Sequence, residues 1–435
     1  MSDVSIIGGG LAGCEAALVL ASRGWRVRLF EMRPGKMTPA HETGELGELV
    51  CSNSLRSDRP VIAAGLLKEE LRKLKSPLMQ TADKTRVPAG GALAVDRAVF
   101  AATLTRLVDE HANIKAVREE VTELPVQQPT ILAPGPLASD ALMACVEKVV
   151  GKQRLFFFDA IAPILDAATL NMEQLFYGSR NSPVGENDYL NSPMNQEQYM
   201  AFVEALLSAE KFVPHGFETD DKLPLFDGCQ PAEAIAATGP LSLAFGPMRP
   251  AGFENVYQGP RPFAVLQLRA ENLQRTAYNL VGFQTRLKQS EQKRVFRMVP
   301  GLENATFLRF GSLHRNSYLD GPRLLDTDLS LKDASNVMVS GQFAGAEGYI
   351  ESIALGHLTA LSMADRLADN PFVPPPEETA LGSLHYHVTA SLVQPLQPSN
   401  IHWGLFPAIK ARGKRARREA MVARARQAMD GWLSA

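Results

Sequence analysis

The sequence predicts an α/β fold, and three observations predict it. The apolar run Val4 to Ile7 leads directly into GGGLAG, whose Gly8, Gly10 and Gly13 form GxGxxG. The alanine- and leucine-rich stretch Leu11 to Ser22 follows as a helix closed by Gly24, and a second strand, Arg26 to Phe30, ends at Glu31. Far along the chain, the apolar strand Asn336 to Ser340 runs into GQFAGAEGYIESIALG, residues 341–356, which again sets clustered glycines between a strand and a helix.

Each part of the first unit has a physical job. Gly8 allows a tight turn, Gly10 lets backbone approach a pyrophosphate, and Gly13 lets the helix pack close on the sheet. The phosphate charge then lies at the positive amino end of the helix. Glu31, 18 residues beyond Gly13, can accept hydrogen bonds from a ribose hydroxyl. Those glycines do not decide between FAD and NAD. The second glycine segment suits the far part of a long cofactor, and no second GxGxxG exists for a dedicated NAD(P)H domain. The reading is therefore FAD in a Rossmann-like domain of the glutathione-reductase-type flavoprotein frame, formed by residues 1–160 and 320–435. The candidate cofactor contacts are Gly8, Gly9, Gly10, Leu11, Ala12, Gly13, Glu31 and Arg33, joined by Gly341, Gln342, Gly345, Glu347 and Gly348.

Between the two halves, residues 161–319 are rich in Pro, Asn, Gln and Tyr and less regular in pattern, so they read as an inserted α/β substrate domain. Within the first half, TILAPG at 130–135 reads as a further strand and turn near the cofactor, and helices are expected at Val61 to Lys75 and Val95 to Glu110. The long connection between the strand at Arg26 and the helix at Val95 holds PAHETGELGELVCSNSLRSD at 39–58 and the first of these helices, and long connections in compact enzymes are often functional. Near the end, Lys410 to Arg426 carries eight Lys and Arg residues with Glu419 as its only acid. Ala416, Ala420 and Ala423 are expected on its packed helical face. That run is either a solvated face or, for a nucleic-acid substrate, a phosphate contact through Arg415, Arg417 and Arg418.

Overall charge narrows the possible partners. The 435 residues hold 45 Lys plus Arg against 47 Asp plus Glu, which excludes wholesale coating of nucleic acid and leaves room for a local basic patch. No stretch of 18 apolar residues occurs, and the first apolar run is too short for a signal-peptide core. A cytoplasmic protein without membrane contact is the expectation. Cys14, Cys51, Cys145 and Cys229 form no CxxC pair, and the eight histidines form no HExxH, so neither a disulfide scaffold nor a metal site is expected. Cys14 and Cys145 read as packed helix residues. Cys229, in LFDGCQPAEAIAATG, lies ahead of a helix for which Pro231 suits the first position, where the dipole favours thiolate. Cys51, in ELVCSNSLRSD, has small polar neighbours and Arg56. Structural and catalytic roles stay open for both thiols.

Longer motifs then carry a resemblance. GGGLAG at 8–13, EMRP at 31–34, ELVCSNSLRS at 48–57 and VPAGGALAVDR at 87–97 resemble the TrmFO family. So do DGCQPAEAIA, FGPMRPAGF, RPFAVLQLRAEN, YNLVGFQTRLK, LHRNSYL, GQFAGAEGYIESIALG and QPSNIHWGLFP, which together span nearly the whole chain. The chain departs at Gln230, where members tend to carry Met, and at Ser192, where they tend to carry Cys. The resemblance implies a methyltransferase acting on the uridine at position 54 of the tRNA T loop. It implies 5,10-methylenetetrahydrofolate as carbon donor, reduced FAD as electron donor, NADH or NADPH as reductant, and no obligate protein partner. It also implies catalytic cysteines, Cys229 as the nucleophile at uracil C6 and Cys51 as its partner, with the reverse open. His314, Arg315 and Asn316 become candidates for holding folate or the uracil edge. The competing readings are a wobble-uridine tRNA-modifying flavoprotein and a non-catalytic flavin-bound RNA-binding protein.

Overall fold

The computed structural model describes residues 3–151, 154–180, 187–212, 230–393 and 395–434, without the side chains of 154–159 and 315. Val4–Ile7, Val27–Phe30, Ile114–Val117, Thr130–Leu132 and Ala334–Val339 form a parallel sheet with Val4–Ile7 near its centre, and Ser330–Leu331 adds an antiparallel edge. Val4–Ile7 is buried along its whole length, as a strand covered on both faces must be. From it the chain passes through the helix Leu11–Ser22 to Val27–Phe30 on one side, while Thr130–Leu132 lies on the other. The carboxyl ends of these strands therefore open a crevice at a topological switch point, where open α/β sheets hold ligands.

Helices Leu11–Ser22 and Tyr349–Leu367 pack face to face, which brings the two ends of the sequence together. The approach is close because Gly356 faces backbone: a Cβ there would stand 2.5 Å from the Ala12 carbonyl oxygen. One buried apolar core runs through residues 4–150 and 319–429, and a second runs through 165–305.

The second core lies under an antiparallel sheet in the order Phe176–Tyr177, Tyr189–Met194, Ala264–Ala270, Ala277–Leu280, Ile164–Asp166 and Phe307–Arg309. Helix Gln196–Ser208, which packs on it, begins with a reciprocal capping box between Asn195 and Gln198. The chain enters and leaves this unit along one antiparallel ribbon, Arg154–Ala160 against Leu313–Leu319.

Three local expectations are corrected. The helix expected from Val95 starts at Arg97, because Val95 ends the strand Ala92–Val95 and the Asp96 side chain caps the Val99 amide at 3.1 Å. That strand pairs with Ser54–Ser57 and Arg86–Val87, so the long connection contains a small sheet. Pro231 is the cap of helix Ala232–Ala237 rather than its first residue. In the basic helix Lys414–Ser434 the buried residues are Met421, Val422, Ala425 and Met429, while Ala416 and Ala423 are exposed. The larger apolar side chains remove more surface from water, so they choose the packed face. Among the described residues no helix is long and apolar enough to cross a membrane.

Candidate functional site

At the switch point lies a cleft of about 120 Å³ lined by Gly10, Leu11, Ala12, Glu31, Arg33 and Gly341, among others. The glycines at its floor divide by what a side chain would meet. A Cβ on Gly8 would stand 2.1 Å from the Ala133 carbonyl oxygen, and one on Gly13 would stand 1.8 Å from the Gly8 oxygen. Gly9 is closed off by Leu46 and Glu31. A Cβ on Gly10 would meet nothing within 4 Å, so this backbone alone opens outward. Gly10 also caps the helix Leu11–Ser22 without a side-chain bond, and no acid stands in the first turn, so the amino end keeps its positive field for a ligand.

Glu31 faces the same cleft. Its Oε2 accepts the Gly9 amide at 3.0 Å and Arg33 Nη2 at 3.2 Å, and its Oε1 accepts the Arg33 amide and Nε, both at 3.0 Å. Burial pushes this carboxyl up, but the Arg33 and Gly9 donors hold it below the usual carboxylate range. Four donors fill the lone pairs a carboxylate offers, so a further hydroxyl reaches Glu31 by replacing an Arg33 contact. Arg33 is itself buried and also holds Glu48 at 3.1 Å. Nearby, burial and then Arg33 push His41 down to about 4.

Across a shared wall lies a second cavity of about 250 Å³, lined by Cys51, His314, Asn316, Glu347, Gly348 and Tyr349 among others. The two cavities have Val50, Pro136, Leu137, Gln342 and Tyr349 in common. The Tyr349 hydroxyl accepts the Cys51 amide at 2.6 Å and the Ser52 amide at 3.2 Å, which fixes the backbone that carries the thiol. Burial, and then proximity to Cys51, push this phenol up. His314 and Asn316, two apart on one strand, share the face that lines the cavity. His314 Nε2 pairs with Ser312 Oγ at 2.8 Å, and burial followed by the Arg309 charge pushes its pKa down to about 4, leaving it neutral near pH 7. Gln342 donates to Glu347, whose carbonyl accepts Asn400 Nδ2 at 2.6 Å.

Other expected residues stand elsewhere. Cys229 and the Arg315 side chain lie outside the described residues. Gly345 lines neither cavity; it packs against Leu396. Cys14 is buried, donates to the Gly9 carbonyl at 3.3 Å, and is pushed up to about 12 chiefly by burial. Cys145 donates to the Thr122 carbonyl. Arg415, Arg417 and Arg418 line neither cavity, and Arg415 holds Glu419 at 2.9 Å. Tyr349 and His41 were not legible as site residues. The only signal for Tyr349 was its place in GYIES at the head of a helix.

Comparison with known proteins fits this geometry. The family described as Glucose inhibited division protein A matches residues 3–371. A protein of Oleidesulfovibrio alaskensis named Methylenetetrahydrofolate--tRNA-(uracil-5-)-methyltransferase TrmFO is 48% identical over 440 residues, covering 100% of this chain and 98% of that relative. The protein of the same name from Moorella thermoacetica is 49% identical, again over 100% of this chain and 98% of its own. The Aquifex aeolicus GidA crystal structure aligns with a TM-score of 0.70 at 16% identity, covering 99% of this chain and 73% of that one, which shows a common fold. The chain thus belongs to the family described as Glucose inhibited division protein A and, by identity of nearly one half along its whole length, to the TrmFO proteins.

Proposed function

We propose that this chain is a folate- and FAD-dependent tRNA (uracil-5-)-methyltransferase that makes 5-methyluridine at position 54 of the T loop. The observation that carries the reading is the shared wall. A ligand along the glycine cleft ends beside Gln342 and Tyr349, which also line the cavity of Cys51. The names of the full-length relatives support the same reaction. Residues 1–160 with 320–435 serve as the cofactor unit and 161–319 as the substrate unit. 5,10-Methylenetetrahydrofolate supplies the carbon, and NADH or NADPH the electrons.

The residues present fit FAD. Gly10 offers open backbone and the uncapped helix end offers unneutralised amides for a pyrophosphate, with Glu31 and Arg33 near the ribose end. Gly341 lines the cleft itself, and Gln342, Glu347 and Gly348 line the second cavity. When bound, FAD carries the electron pair that turns a transferred methylene into methyl.

The protein's own part begins with a thiolate. Uracil C5 is a poor nucleophile until a thiolate adds at C6 and pushes an electron pair toward the C4 carbonyl, after which C5 attacks an electrophilic methylene. We assign that addition to Cys229 and give Cys51 the removal of the C5 proton or the protection of the thiol. Loss of that proton breaks the bond from the methylene to its carrier nitrogen, and arrival of the electron pair at the methylene carbon breaks the C6–S bond and returns the thiolate. His314 and Asn316 hold the uracil edge or the folate ring through neutral hydrogen bonds. The basic helix, through Arg415, Arg417 and Arg418, meets RNA phosphates.

Single-turnover transfer of label from methylenetetrahydrofolate to tRNA tests the reading. Label at the T-loop uridine supports it. Label in the anticodon would point to a wobble-uridine enzyme, and no label to a non-catalytic binder; either overturns it.

A further inference from the structure

Among the described residues that line the Cys51 cavity, Arg56 is the only arginine or lysine. Its backbone has φ +68°, a left-handed conformation disfavoured for a residue with a Cβ, so the surroundings impose the direction of this side chain. Arg56 Nη1 donates to Glu351 Oε1 at 2.8 Å, and the Ile401 amide donates to the same oxygen at 2.8 Å. Glu351 is fully buried, and its Oε2 has no hydrogen-bond partner among the described residues. A buried carboxylate with so few donors holds its one guanidinium firmly. Lys68, with Nζ on the Ser57 and Ala64 carbonyls at 2.8 and 3.0 Å, lies in Coulombic range of Glu351, but burial pushes it down to about 7, so Arg56 is the permanent charge beside that carboxyl.

The guanidinium has five N–H donors, and the bond to Glu351 uses one. The Arg56 side chain keeps 39% of its surface exposed. The cavity therefore presents a fixed, partly open cation to an anion. The other titratable groups in the wall leave that role to it: His314 is neutral near pH 7, and Glu347 is an acid already bonded by Gln342.

We propose that Arg56, positioned by Glu351, receives the backbone phosphate of the nucleotide whose base enters the Cys51 cavity. The inference rests on the reading that the substrate is an RNA uridine. A base inside folded RNA has to leave its stack to meet a half-buried thiol, and it brings its phosphate to within one sugar of the ring. Arg56 and Cys51 line one cavity, so a base at the thiol and its phosphate at the guanidinium share a single enclosed space. The carboxylates of a folate lie at the far end of a long stem and match it poorly. A guanidinium fork recognises phosphate through two parallel hydrogen bonds, which an ammonium cannot reproduce.

The test uses full-length, flavin-loaded enzyme with Arg56→Gln and Arg56→Lys. It measures tRNA binding across a KCl series, and KM and kcat for tRNA and for methylenetetrahydrofolate. Arg56→Gln should weaken tRNA binding by about tenfold or more, as loss of a charged hydrogen bond does. It should flatten the slope of log K against log salt by about 0.7. KM for tRNA should rise by more than kcat falls, with KM for the folate within about twofold of wild type. Arg56→Lys should keep the salt slope and recover part of the affinity. Unchanged tRNA affinity and slope would overturn the proposal, and so would a rise confined to the folate KM, which would give Arg56 to the folate carboxylates. If the Gln variant loses flavin or melts early, the Lys variant decides, and wild-type tRNA affinity in it refutes the fork. Wild-type enzyme that transfers no label to tRNA fails the methyltransferase reading, whereas an active wild type beside an unaltered Arg56→Gln fails only the phosphate assignment.

Discussion

The glycine cleft and the Cys51 cavity share a wall, yet the chain builds them in opposite ways. The cleft takes its floor from a few consecutive residues, Gly8 to Gly13, with Glu31 at the end of the next strand. Its chemistry is mostly backbone: close approach, orphan amides and a helix dipole. The cavity draws on residues 40, 50–56, 136–137, 161, 314 and 316, 342–350 and 400, and its chemistry is mostly side chain. The cleft also takes walls from residues 133–137 and 340–352, but a floor made from one supersecondary unit is fixed locally whatever closes over it. A cavity assembled from seven distant segments depends on the whole tertiary fold and can be retuned one side chain at a time.

That contrast can be broken most directly at the thiols. Cys229→Ala should reduce methyl transfer by about a thousandfold or more while FAD stays bound, because binding does not replace a lost nucleophile. Cys51→Ala should also be severely impaired and remain yellow, whereas Cys14→Ala and Cys145→Ala should keep the chemistry. Absorbance spectra beside single-turnover assays check this. Loss of flavin from Cys51→Ala would show that the two cavities are not separable.

The next effect separates two kinds of glycine. Gly10→Leu should give folded but colourless protein, since a side chain there fills the open space of the cleft. Gly13→Ala should destabilise the fold itself, because its Cβ would fall 1.8 Å from the Gly8 oxygen. Circular dichroism with flavin content distinguishes them, and equal unfolding of both would remove the distinction.

A smaller effect is expected away from both cavities. Changing Arg415, Arg417 and Arg418 to Ala should weaken tRNA binding and flatten the salt slope by roughly 0.7 to 0.9 for each phosphate that is no longer neutralised. Flavin reduction by NAD(P)H should be untouched. The exposed Arg415–Glu419 pair, 93% and 54% open, adds little stability of its own, so thermal unfolding should hardly move. An unaltered slope would make this helix an ordinary solvated face.

The smallest effect concerns pH. The folded pKa of His314, about 4, lies below its ordinary value of 6.5. Between those values the unfolded chain binds a proton that the folded chain does not, so stability falls as pH drops from 6.5 to 4 and levels off below. His314→Gln removes that contribution, and its melting temperature should fall less across the window than that of wild type. Parallel curves would mean that His314 is not desolvated in the cavity wall.

What could be read from residue order alone follows the same division. Val4–Ile7 and Leu11–Ser22 were legible to the residue because apolar periodicity and glycine spacing are local signals. The end of the strand Ala92–Val95 reads as a helix start because ALAV fits either state, and only pairing with Arg86–Val87 and Ser54–Ser57 decided it. The packed face of Lys414–Ser434 was likewise settled by what lay opposite, which took Met421, Val422 and Met429 together with Ala425 in place of the stripe Ala416, Ala420 and Ala423.

By itself, the sequence determined that this protein has a parallel sheet of the Rossmann type and that an insertion interrupts it, and it singled out Cys51 and Cys229 as the candidate thiols. Those properties rest on residue type and short-range spacing, which any fold must respect. Only tertiary structure decided that Tyr349 holds the Cys51 backbone and that buried Glu351 holds Arg56. These pairs lie as much as 298 residues apart, and their energies come from burial and from donors that meet after the chain has closed on itself.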